Sequence, residues 1–153
     1  MKSAWKKNDG GREAAGYVGK TGDCVTRAIA IATQRPYREV YDLVNQFAKR
    51  EHTGARKRRS TARGGVFKGT TARVMKHLGW RWVPTMTIGS GCRVHLRADE
   101  LPSGRLIVSV SHHWVAVIDG VIHDNYDPSR NGTRCVYGFW TNGQREDETV
   151  SNL

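Results

Sequence analysis

Residues 22–33 read GDCVTRAIAIAT, and the reading of this stretch decides the rest of the chain. Val25, Ala28, Ile29 and Ala32 fall on one stripe at helical spacing, and Cys24, Ala28 and Ile31 fall on a neighbouring one. Only Thr26, Arg27 and Thr33 are clearly polar, so the spacing predicts a helix packed between other elements. Asp23 is a good N-cap, which places Cys24 in the first turn. There the unpaired backbone N–H groups and the helix dipole favour thiolate over thiol. A thiolate on a buried helix end is the layout of a nucleophile, and the search outward is for its base.

Pro36 is expected to start a second helix, since proline is tolerated in a first turn. Tyr37, Val40, Tyr41, Val44 and Phe47 carry it to about Lys49. Residues 51–69 combine glycines with basic residues and predict a mobile, solvated loop. Thr70 or Thr71 is expected to cap a short helix bearing Val74, Met75 and Leu78, ended by Gly79. Strands are predicted at 80–84, 105–110, 114–118, 121–124 and 135–140, with Asp119-Gly120 as a two-residue hairpin turn. Helices first and an antiparallel sheet afterwards define an α+β class. Residues 1–21 read as an irregular lead-in, 22–140 as one domain and 141–153 as a polar tail.

The hairpin serves as a ruler. With Asp119-Gly120 as the turn, Ile118 opposes Val121, Val115 opposes Asp124 and His113 opposes Tyr126, so His113 and Asp124 share a face and lie diagonally across the pair. His112 points the other way, towards the face of His123 and Asn125. Cys24 is thus the candidate nucleophile, His113 the base and then acid, and Asp124 the group that orients the imidazole. His112 with Asn125 is the rival pair. Asp127 is a competing acid, although an Asp-Pro pair at the start of a loop more often builds a turn.

The chain has 153 residues, enough for one domain with its own core. It has no apolar run of membrane-spanning length, and the opening MKSAWKKNDGGRE lacks the apolar stretch of a secretion signal. Cys24, Cys92 and Cys135 are odd in number with no CxxC pair, so neither a disulfide framework nor a zinc site is expected, and a reducing, cytoplasmic compartment fits. His77, His95, His112 and His123 show no paired ligand spacing, and no metal or cofactor is expected. Twenty-five Lys and Arg against 14 Asp and Glu give a net charge of +11, which attracts polyanions. Lys49, Arg50, Arg56, Lys57, Arg58, Arg59 and Arg63 crowd one segment and form the candidate surface for nucleic acid or an acidic protein. No recognised nucleic-acid motif accompanies them.

A Cys heading a central helix, followed by HWVAVIDGVIHD on a late hairpin, resembles the papain-like cysteine peptidase fold. The flavour is the compact bacterial kind, as in bacteriocin-leader peptidase domains and cell-wall amidase-type hydrolases. The segments GDCVTRAIAIATQRPYREVYDLV and GWRWVPTMTIGSGCRVHL through DGVIHDNYDPSRNGTRCVYGFW are also similar to uncharacterised phage and prophage proteins. The resemblance implies Cys24, His113 and Asp124 in the family's chain order, an acyl-cysteine intermediate, a protein or peptide substrate, and the cytoplasm of a bacterial host. It departs from the family where an oxyanion-hole Gln is usual about six residues before the Cys, because Val18 stands there. The Cys24 backbone N–H remains, with Thr21 or a loop residue as the second donor. The alternative is a non-catalytic binder of the same fold that uses its basic loop. Oligomeric state is left open.

Overall fold

The computed structural model describes residues 4–19, 21–52 and 58–143. Among the described residues, three helices and six strands form a mixed α+β architecture. Strand β1 (Trp5–Lys7) is followed by helices α1 (Cys24–Thr33), α2 (Tyr37–Ala48) and α3 (Lys68–His77). Strands β2 (Arg81–Pro84), β3 (Arg105–Val110), β4 (His113–Ile118), β5 (Val121–Asp124) and β6 (Gly138–Thr141) complete one sheet of order β1-β5-β4-β3-β6-β2. All neighbours are antiparallel except β1 and β5.

Apolar residues on both sides of β3 and β4 explain why the sheet is covered on both faces. Ile107, Ala116 and Trp140 pack with Val25, Ile29, Val40, Val44, Val74 and Met75 of the helices. Leu106, Val108, Val115, Val117, Ile122 and Phe139 form a second core, closed by Leu96, Leu101 and Val136 from the connecting segments. Helix α1 ends where Gln34 adopts φ 58°, and α2 begins after Pro36. Asp119 and Gly120 both have positive φ, 48° and 80°, as the expected hairpin turn requires. Ile118 opposes Val121 across it.

Several expectations need correction. The lead-in contains β1, whose three exposed residues pair in parallel with β5. Three residues are too few to show alternation. Helix α3 starts at Lys68, ahead of Thr70 and Thr71, which are buried within it. The closing strand is Gly138–Thr141. Residues 135–137 are held instead by a His95–Cys135 bridge and by the bonds Val136 N–H to Val94 O and Tyr137 N–H to Ser109 O.

The described part of the basic loop is built into the fold. Glu51 accepts the Ser60 N–H at 2.7 Å and the Thr70 hydroxyl. Asn45 accepts the Ala62 N–H at 2.9 Å, and Thr26 donates to the Ala62 carbonyl at 2.8 Å. Composition alone hides this, because side-chain bonds reaching in from the helices and one fully buried alanine order it rather than a run of apolar residues.

Cys92 and Cys135 form a disulfide across 43 residues, with Cα atoms 5.8 Å apart. The expectation of unpaired cysteines fails because the His95–Cys135 bridge brings two distant loops together. The cysteine pattern therefore no longer argues for a reducing compartment, since disulfides persist in oxidising ones. Among the described residues no helix is long and apolar enough to cross a membrane.

Strands β2 and β6 meet closely at Gly138. A Cβ there would fall on the Trp82 indole and 2.8 Å from the Val83 carbonyl oxygen. Gly138→Ala is expected to cost about 1–3 kcal/mol through overpacking, read as a lowered midpoint in urea unfolding. An unchanged midpoint would show that the two strands separate freely.

Candidate active site

The site lies where α1 begins, β4 begins and β5 ends. Cys24 is the first residue of α1, half-buried, with a free thiol. The first backbone bond of the helix runs from Arg27 N–H to Asp23 O, so the N–H groups of the preceding turn are not used by the helix. His113 is the first residue of β4, after a tight Ser111-His112 connection in which His112 adopts φ 55°. Its Nε2 lies 2.6 Å from Asp124 Oδ2, the diagonal contact that the hairpin register dictates. The other ring nitrogen is left for the sulfur: Cys24 and His113 line the same cleft, and the imidazole acts on the thiol both as a hydrogen-bonding group and as a charge. The Trp114 backbone N–H acts on the same sulfur and favours its anion.

Both carboxylates behind the site are buried, Asp23 at 1% exposure and Asp124 at 3%. Asp124 Oδ1 accepts the Asn125 N–H at 2.7 Å and meets Arg27 Nη2 at 3.3 Å. Its backbone carbonyl accepts the Trp5 indole N–H at 3.2 Å and the Asn8 N–H at 3.0 Å. Asp23 occupies the N-cap position without a side-chain capping bond, which corrects the expected role. Its carboxylate instead accepts the Thr21 hydroxyl at 2.7 Å, the Tyr37 hydroxyl at 2.6 Å and Arg27 Nη1. Arg12 Nε stands 3.5 Å away.

These contacts set the proton affinities. Burial pushes the Cys24 thiol up, but the bond and charge of His113, the Trp114 N–H and the charge of Arg27 bring it below the ordinary thiol value. Burial pulls the His113 imidazole down, yet the bonds to Asp124 and Cys24 and their charges raise it to about 9. Imidazolium is therefore favoured beside thiolate from the lowered thiol value up to about pH 9. Stability drawn from the raised His113 value is fully present below its ordinary value of 6.5 and is lost as pH rises through about 9.

A cleft of about 510 Å³ opens over the sulfur. Gly64, Gly65 and Val66 of the basic loop form one wall, and His112, Trp114 and Tyr126 contribute elsewhere. The Tyr126 ring sits 5.4 Å from that of His113. The cleft thus brings Cys24 and His113 together, with Asp124 behind the ring. His112 lines it as an exposed side chain, Asn125 is exposed and reaches Asp124 through its backbone, and Asp127 accepts the Ser129 N–H at 2.9 Å in the following turn. Thr21 also lines the cleft, but its hydroxyl is given to Asp23 and is not open to an oxyanion.

The basic residues divide. Arg59 Nη1 closes the end of α2 through the Ala48 and Lys49 carbonyls at 3.1 and 2.8 Å. Arg63 donates to the Val18 carbonyl at 3.0 Å, tying the loop to the lead-in. Arg50 lies 5.0 Å over the Phe47 ring. Lys49 and Arg58 are exposed, while Arg56 and Lys57 lie outside the described residues. Among the described residues no group of three or more His, Cys, Asp or Glu is placed to hold a metal ion.

Arg27 and the Trp114 N–H were not singled out from the sequence. Arg27 carried a readable signal, because it follows Asp23 by four residues, the spacing of a helical ion pair. The Trp114 contact carried none, since it depends on where α1 docks. No family model, curated protein or solved structure matches the chain, and the site's chemistry rests on its own geometry.

Proposed function

We propose that the protein is a papain-like thiol hydrolase that works through an acyl-Cys24 intermediate on a protein or peptide substrate. The observation that carries this reading is the meeting of the Cys24 thiol and the His113 ring in one cleft, with the ring held from behind by the Asp124 carboxylate at 2.6 Å. The Cys24 thiolate attacks the substrate carbonyl carbon, and its new C–S bond replaces the carbonyl π bond. The imidazolium of His113 gives its proton to the departing amine or thiol as the tetrahedral intermediate collapses. Water, losing a proton to the now neutral imidazole, then attacks the thioester and releases Cys24. Asp124 holds the ring through Nε2 and stabilises the imidazolium. The Cys24 N–H at the head of α1 is the first donor for the oxyanion. Peptide, amide, isopeptide and thioester cleavage all run on this apparatus.

The test is the rate of Cys24 alkylation by iodoacetamide, followed by mass spectrometry against pH. The native chain is expected to react far faster at neutral pH than an ordinary thiol, with an acid-shifted midpoint. His113→Ala is expected to lose at least roughly tenfold of that rate. A native profile like that of free cysteine would overturn the proposal. Amide cleavage is expected to fall above about pH 9, where His113 loses its proton, whereas alkylation is not, because thiolate remains. A fall in both together would assign the limb to unfolding.

A second reading, a binder acting through exposed Lys49, Arg50 and Arg58, is favoured by the +11 charge. It predicts nucleic-acid binding that weakens steeply with salt and survives Cys24→Ala. Binding that is absent at low salt removes it.

A further inference from the structure

We infer that Arg27 is a positioning residue for the Cys24–His113 pair, bridging the start of the cysteine helix to the carboxylate that holds the imidazole. The inference rests on the hydrolase reading and assigns a role to a buried cation that the chemistry above does not use. Arg27 follows Cys24 by one turn, and its side chain is only 11% exposed. One arm of its guanidinium, Nη1, bonds Asp23 Oδ1, immediately before α1. The other, Nη2, faces Asp124 Oδ1 at the end of β5, at 3.3 Å. Asp124 Oδ2, on the opposite side of the same carboxylate, takes His113 Nε2. The planar fork of a guanidinium suits two carboxylates at once, which a lysine ammonium does not match.

Among the described residues, the charged groups that touch this bridge belong to the site or support it. Asp23 precedes α1 and is held by Tyr37 of α2, by Thr21 and by Arg12 of the lead-in. Asp124 arrives from β5 and His113 from β4. Two buried carboxylates without a cation between them would repel each other. Arg27 stands between them, and the same positive charge lies near enough to Cys24 to favour its thiolate. The bridge also fixes distance, because α1 and β5 are separate elements that have to stay in register for the thiol to meet the ring.

The experiment compares the pH profile of Cys24 alkylation in the native chain, Arg27→Gln and Arg27→Lys. Arg27→Gln is expected to move the thiol midpoint up by about one pH unit, a roughly tenfold slower reaction on the acid side. Arg27→Lys keeps the charge without the fork and is expected to fall between. A folded Arg27→Gln with the native midpoint overturns the inference. If that variant does not fold, Arg27→Lys decides, and a native midpoint there overturns it equally. An ordinary-thiol profile already in the native chain would instead sink the hydrolase reading, so the two failures are distinct.

Discussion

Replacing Asp124 by alanine is expected to cost about 3–5 kcal/mol of folding stability, or roughly 6–20 °C in melting temperature for a chain of this size. The size of the effect comes from what is left behind. Arg27 Nη2 and His113 Nε2 both lose their carboxylate, and the Asn125 N–H loses its acceptor. Asp124 is 3% exposed, so water does not readily replace it, and buried donors stripped of their carboxylate cost more than the intact contacts contributed. The His113 imidazole, raised to about 9 with Asp124 in place, is expected to titrate well below that value in the variant. The ion-pair window beside Cys24 then shrinks from its alkaline end. Asp124→Asn should retain more stability, because it preserves shape and one acceptor, while giving the same alkaline retreat. Urea melts with alkylation profiles check both parts. A melt indistinguishable from the native one would mean that the carboxylate is not part of a buried network.

The second large effect concerns the disulfide. Closing 43 residues of chain between Cys92 and Cys135 removes disorder from the unfolded ensemble worth about 4 kcal/mol in the chain-entropy description. Cys92→Ser with Cys135→Ser, or reduction of the native chain, is expected to lower stability by about 2–4 kcal/mol. Cys24 reactivity should hardly change, because the disulfide fastens the loops over the sheet face opposite the helices, next to Val94 and Val136. Melting curves with and without reductant, paired with alkylation at neutral pH, separate the two readouts. Equal melting in both conditions would show that the bridge contributes nothing to the fold. A loss of alkylation would show that those loops support the nucleophile.

Legibility followed the range of the signals. The Asp119-Gly120 turn fixed a two-strand register, and from that register alone the His113–Asp124 pair could be read. The helix from Cys24 to Thr33 was visible because its apolar positions repeat over its whole length. Asp23 shows where such local rules stop. Its place before the helix was readable, but its partners come from α2 and the lead-in, and tertiary bonds displaced the capping bond. Thr26, a plain polar position by spacing, is buried and spent on the Ala62 carbonyl. The Cys92–Cys135 bond and the parallel pairing of β1 join segments more than 40 residues apart. No periodicity within one segment reports such a meeting.

The two borders of the sheet have a consequence for how copies of the chain behave when crowded. An uncovered strand border invites another molecule to add itself by backbone bonding. Here one border is the three-residue β1 with Lys6 and Lys7, and the other is β2, flanked by Arg81 and ended by Pro84. Brevity, like charges and an imino acid without a donor are all deterrents to strand addition. Concentrated preparations are accordingly expected to resist fibril formation through the sheet.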